Sequence, residues 1–99
     1  MARPTALSPA EIEARLESLP GWSLRDGKLH REFAFGDFRA AFAFMTAVAL
    51  DAEKRDHHPD WSNVYSRVVV GWRTHDADGI TELDFEMAAV CDRWSSSVA

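Results

Sequence analysis

The sequence predicts an α+β fold in the order α-β-β-α-β-β-α: a four-stranded antiparallel sheet with helices packed on one face. Three observations carry that reading. Apolar residues recur at helical spacing in three separate segments of the chain. Between them lie two regions rich in β-formers, one divided by Asp26-Gly27 and the other long enough to bend back on itself. No internal repeat or linker interrupts the series, so residues 1–99 are expected to form one domain.

The first helix is signalled by Ser8-Pro9-Ala10-Glu11. Ser8 can accept from the amide three residues on, Glu11 can reach back, and Pro9 suits the first helical position. Ile12, Leu16 and Leu19 then recur until Pro20-Gly21 ends the run. Residues 22–24 and 28–35 read as a hairpin about Arg25-Asp26-Gly27, because Asp and Gly tolerate positive φ. In its second strand Leu29, Arg31, Phe33 and Phe35 share one face, with His30, Glu32 and Ala34 on the wet side. His30 therefore reads as a surface residue.

Gly36-Asp37 opens a long helix reaching about Arg55. Phe38, Ala41, Phe42, Met45, Val48 and Ala49 form one stripe, and Phe44, Ala47 and Leu50 extend it around the cylinder. A helix apolar on more than one side must be covered on more than one side, which predicts a subunit interface along it. Cover by the first and last helices is the plainer alternative. Residues 62–74 are rich in Val, Tyr and Trp and read as a second hairpin bending near Tyr65-Ser66-Arg67. After a loop at residues 75–79, Thr81 and Asp84 have capping-box spacing, and Leu83, Met87, Val90 and Trp94 stripe the last helix.

Composition excludes several classes of function. With 46% hydrophobic and 27% charged residues, the chain is neither disordered nor fibrous. A formal charge of −5 argues against a nucleic-acid surface, which needs clustered Lys and Arg. The lone Cys91 cannot form an internal disulfide, fits a reducing compartment and reads as a small buried apolar group. The N-terminal MARPTALSPAEIEARL lacks the apolar core of a signal peptide. Residues 38–50 contain Arg39 and fall short of the roughly 20 residues a membrane span needs. A cytoplasmic protein with no membrane partner is expected.

Chemistry concentrates in EKRDHHPDW, residues 53–61, with His75 following the second β region. Histidine both gives and takes protons near neutral pH, so imidazoles from two segments can serve opposite ends of a proton transfer. Glu53 stands four residues before His57 and can meet it while the helix lasts. Glu53, His57, His58 and His75 are also competent metal ligands, but HExxH is absent and adjacent histidines point apart. Nucleophilic catalysis is weakly supported: Cys91 lies deep in a helical pattern and no serine has a glycine elbow. Alternatively, the histidines cap a helix and satisfy backbone carbonyls. The residues by themselves stop at an acid/base site beside an aromatic platform.

EKRDHHPDW followed by NVY, THDADGIT and Asp84 closely resembles the pterin-4a-carbinolamine dehydratases. The matching positions are Glu53, His57-His58-Pro59, Trp61, Thr74-His75 and Asp84, with Gly79 in the loop, and FRAAFAFMTAVALDAEK resembles the family's long helix. The resemblance implies loss of water from 4a-hydroxytetrahydropterin to give quinonoid dihydropterin, in tetrahydropterin recycling, with no metal and no organic cofactor. It makes His57 and His75 the acid/base pair, either able to be the acid, and has His58 bind and orient the substrate near its hydroxyl. It has Glu53 hold an imidazole in the useful tautomer and Trp61 wall the flat pterin. Asp56 and the segment Thr74, His75, Asp76 would contact the pterin, and Asp84 would support the site or cap the helix. Partners implied are the pterin itself, a second copy of the chain in a dimer or tetramer, and a pathway containing a pterin-dependent hydroxylase. One departure is Trp72, where a smaller aliphatic residue is more usual; it is expected to alter packing or an edge contact without touching a motif position. The rival function is a binding module on the same fold, either a dimerisation cofactor of a transcription factor or a Rubisco assembly chaperone.

Overall fold

In the computed structural model, which describes residues 4–98, each helix starts where its capping residues dictate. The first three residues read for a leader, and the last residue of the expected domain, lie outside that range. Helix α1 spans Pro9–Leu16. The Glu11 amide donates to Ser8 Oγ (3.2 Å) and the Ser8 amide donates to Glu11 Oε1 (2.9 Å), completing the expected capping box. The helix stops one turn earlier than the apolar spacing implied, and Leu19 packs on the core from the turn beyond.

Strands β1 (Ser23–Arg25) and β2 (Lys28–Ala34) are joined by Asp26 (φ 52°) and Gly27 (φ 76°), the positive-φ pair of a tight hairpin. Strands β3 (Asp60–Val64) and β4 (Arg67–Trp72) are joined by Tyr65-Ser66, where the sequence carries no Gly or Asn. Tyr65 takes φ 51° there, and the Asn63 side-chain amide braces the turn by donating to the carbonyls of Tyr65 (3.1 Å) and Arg67 (2.8 Å). The four strands pair antiparallel in the order β1-β2-β4-β3.

Register places Leu29 opposite Trp72, Arg31 opposite Val70 and Phe33 opposite Val68. Leu29, Phe33, Val68, Val70 and Trp72 are buried under helix α2 (Phe38–Lys54) and helix α3 (Glu82–Val98), so the helices share one face of the sheet. The alternate residues His30, Glu32, Ala34 and Arg67 form the other face, as the period of two predicts. Asp92 on α3 ties that helix to the sheet side, accepting from Trp22 Nε1 (2.9 Å) and Arg31 (2.6 Å). Trp94 Nε1 donates to Asp51 of α2 at 2.7 Å. Arg15 of α1 grips Glu82 with two hydrogen bonds (2.5 and 3.0 Å) and lies 4.6 Å over the Phe85 ring, fixing the start of α3.

The buried stripe of α2 is Ala41, Phe44, Val48 and Ala52. This corrects the expected stripe: Phe38 and Phe42 lie on the exposed side, at 47% and 55% exposure, with Leu50 at 70%. Apolar residues stand nearly all round this helix, so periodicity alone does not choose its inner face. Among the described residues, neither α1 nor α3 covers that outer strip. No helix of the described residues is long and apolar enough to cross a membrane.

Cys91 is fully buried on α3, and burial pushes its thiol up to about 12 from an ordinary 9.0. The nearby Trp72 indole opposes that shift without overcoming it. Thiol reagents should therefore leave the native protein unmodified at pH 8 and label it on unfolding. The unfolded thiol ionises first, so its contribution to stability should be intact below about pH 9 and decline as pH rises towards 12. Urea titrations of wild type and Cys91→Ala across that range check the slope, which the variant should lack. Rapid native labelling would contradict this account.

Candidate active site

The C-terminus of α2 decides where the two adjacent histidines point. The helix ends in a Schellman turn: the Asp56 amide donates to the Glu53 carbonyl (3.2 Å) and the His57 amide to the Ala52 carbonyl (3.1 Å). Asp56 takes the left-handed conformation, φ 52°, that glycine usually fills, and Asp tolerates it better than most side chains. The chain reverses inward at that residue. His57 is buried, whereas His58 stays on the surface.

His57 Nε2 shares a 2.7 Å hydrogen bond with Asp84 Oδ1, and the two side chains are only 6% and 0% exposed. The expected Glu53–His57 contact does not form, because the helix ends before i,i+4 geometry can reach His57. Glu53 Oε1 instead meets His58 Nε2 at 2.8 Å, an exposed pair.

Asp84 serves two structures at once. Its Oδ2 accepts from the Thr81 amide (2.8 Å), so it closes the start of α3 as capping-box spacing predicts. The same oxygen accepts from Thr74 Oγ1 (2.8 Å). Thr74 and Thr81 hydroxyls lie 2.7 Å apart, and the Leu83 amide donates to Thr81 Oγ1 at 3.2 Å. Thr74 is buried, and its hydroxyl lies within this network.

His75 and Asp76 follow Thr74 in a short 3-10 turn, His75–Ala77, and both are exposed. The turn is closed by the Thr74–Gly79 bridge (Thr74 N to Gly79 O, 2.9 Å) and by an ion pair between Arg73 and Asp78. His57, Thr74 and Asp84 thus meet directly, His75 stands next to Thr74 in the chain, and Glu53 and His58 form a separate surface pair. Trp61, paired across from Val70, is half-buried against the core. A cavity of about 180 Å³ opens on the opposite face of the sheet, between Lys28, His30, Asp60, Trp61 and Gly71, away from the His57 network.

Sequence reasoning missed two residues. Thr81 was legible only as a helix cap. Trp72, expected to be remote from the motif, stacks on the His57 ring with centroids 5.5 Å apart and planes 24° from parallel. Strand alternation already put Trp72 on the helix side of the sheet, but nothing local places His57 against it. Among the described residues, no three His, Cys, Asp or Glu side chains are grouped to hold a metal ion.

The family model for pterin 4 alpha carbinolamine dehydratase matches residues 5–94. A provisionally named pterin-4-alpha-carbinolamine dehydratase of Solibacter usitatus is 51% identical over 88 residues, covering 89% of this chain and 93% of that protein. A relative with the same provisional name from Bradyrhizobium sp. strain BTAi1 is 55% identical over 86 residues, covering 85% and 87% of the two chains. The crystal structure of a transcriptional coactivator/pterin dehydratase from Brucella melitensis superposes with a TM-score of 0.88 at 44% identity, covering 92% of this chain and 99% of that one. A pterin dehydratase-like RuBisCO assembly factor of the alpha-carboxysome shares the fold alone, with a TM-score of 0.62 at 23% identity over 75% of this chain and 86% of that one. On a match that spans the fold and the histidine network together, the chain belongs to the pterin-4-alpha-carbinolamine dehydratase family.

Proposed function

We propose that the protein eliminates water from a 4a-hydroxytetrahydropterin to give the quinonoid dihydropterin, with histidines moving both protons. The observation that carries this reading is His57, a buried imidazole with one ring nitrogen committed to a carboxylate that is itself held by two further donors. That is how a general acid/base is oriented. In the reaction an acid protonates the C4a hydroxyl, the C4a–O bond breaks and water leaves. A base takes the N5 proton, and the N–H electron pair becomes the C4a=N5 double bond. His57 and His75, one protonated and one neutral, close this inventory without a metal or organic cofactor.

His58, steadied by Glu53, binds and orients the substrate near its hydroxyl. Trp61 supplies an apolar wall, and Asp56 and Asp76 flank the pterin. Thr74 works through Asp84, since its hydroxyl is already spent there. Such an activity belongs to tetrahydropterin recycling beside a pterin-dependent hydroxylase, in the cytoplasm. His57→Ala and His75→Ala should each lower turnover by roughly 10²–10⁴-fold, and His75→Ala, at an exposed position, should leave the unfolding temperature unchanged. Full activity in the double variant would remove the mechanism.

A second reading concerns protein contacts and is favoured by the outer face of α2. Phe38, Phe42 and Leu50 stand exposed along it, and the Phe38 and Phe42 rings lie 5.5 Å apart. Exposed apolar side chains of this kind mark a contact surface, and a second copy of the chain, in a dimer or tetramer, is the occupant we assign to it. The Brucella neighbour carries the double description of transcriptional coactivator and pterin dehydratase; a non-catalytic binding module on this fold is the alternative to the enzyme. Phe42→Asp with Leu50→Asp should reduce the sedimenting mass to that of a monomer. An unchanged mass would place the contact elsewhere.

A further inference from the structure

We infer that His57 exchanges its proton through Nδ1, and that Thr81 is a positioning residue which dictates this through Thr74 and Asp84. The link to turnover rests on the dehydratase reading; the assignment of the nitrogen does not. The argument begins with the hydrogens. A hydroxyl has one to give, an amide N–H can only donate, and an ionised carboxylate can only accept. Thr74 spends its hydrogen on Asp84 Oδ2, so across the 2.7 Å contact between the hydroxyls Thr81 must be the donor. Thr81 Oγ1 is in turn filled by the Leu83 amide. The chain of hydrogen bonds therefore runs one way, from the α3 backbone through two hydroxyls to Asp84.

Its end point fixes the imidazole. With Oδ2 occupied by Thr74 and by the Thr81 amide, Oδ1 faces His57 Nε2 alone at 2.7 Å and accepts from it. A neutral imidazole has one N–H, so Nδ1 carries the lone pair. Trp72 covers one face of the ring, which holds the imidazole plane and hence the direction of Nδ1. Among the described residues, the only buried side-chain nitrogen or oxygen without a hydrogen bond is Trp72 Nε1. Nδ1 of His57 is engaged by none of the described residues, and the side chain keeps 6% of its surface exposed. Whether His57 acts as acid or base, the same atom gives or takes the proton.

Long-range proton–nitrogen correlation spectra of uniformly ¹⁵N-labelled protein at pH 8 distinguish the two imidazole tautomers. Wild type should show His57 protonated at Nε2 and bare at Nδ1. Thr81→Val should convert this to a mixture of tautomers and lower kcat by about tenfold with little change in KM. Thr81→Ser, which keeps the hydroxyl, should restore both. Wild-type His57 protonated at Nδ1 would overturn the inference, and that spectrum decides even if Thr81→Val does not fold. A folded Thr81→Val with unchanged tautomer and kcat would equally overturn it, leaving Thr81 a helix cap. An Nε2-protonated wild type without turnover would sink the dehydratase reading and leave the assigned nitrogen in place.

Discussion

Asp84 is buried without exposed surface, and three separate parts of the chain converge on its two oxygens. One oxygen closes the start of α3 and anchors the end of β4 through Thr74; the other holds the imidazole that follows α2. Burying a carboxylate is costly unless its lone pairs are filled, and here at least three donors fill them. Taking the carboxylate away would strand those donors in the interior, a cost on the order of 3–5 kcal/mol. The same group therefore joins the last helix, the sheet and the end of the central helix, and in doing so builds the site. Packing of the fold and orientation of the His57 ring share one residue.

Much of the fold was legible because local signals agreed with one another. Ser8 and Glu11 cap α1 as their spacing implied, Asp26-Gly27 turns the first hairpin, and alternation along β2 sorts Leu29 and Phe33 from His30 and Glu32. The choice of inner face on α2 was not legible, since Phe, Ala and Val occur nearly all round it. Phe42 and Phe44 are equally apolar, and only the sheet beneath decides that Phe44 goes in.

The candidate residues could be named from the sequence, but their pairings could not. Helical spacing offered Glu53 to His57, but a left-handed Asp56 breaks the helix between them and hands Glu53 to His58. The true partner of His57 lies in a different helix and presents itself in sequence as a capping residue, which it also is. Trp72 looked like a packing variation, yet its burial on the helix side of the sheet brings it against the catalytic candidate. Contacts of this kind depend on how strands and helices meet, and no local pattern encodes them. The motif resemblance located the neighbourhood; the geometry supplies the reason each group stands where it does.

The account's central claim is that an imidazole oriented by Asp84 makes this chain a dehydratase. Stopped-flow dehydration of freshly generated 4a-hydroxytetrahydropterin, with metal-stripped wild type and with Asp84→Asn, tests it most directly. Wild type should accelerate the reaction, and Asp84→Asn, close in shape but unable to hold the same tautomer, should lose about 10²-fold or more of that acceleration while still folding. No acceleration by correctly folded wild type, or an Asp84→Asn protein as active as wild type, would contradict the account.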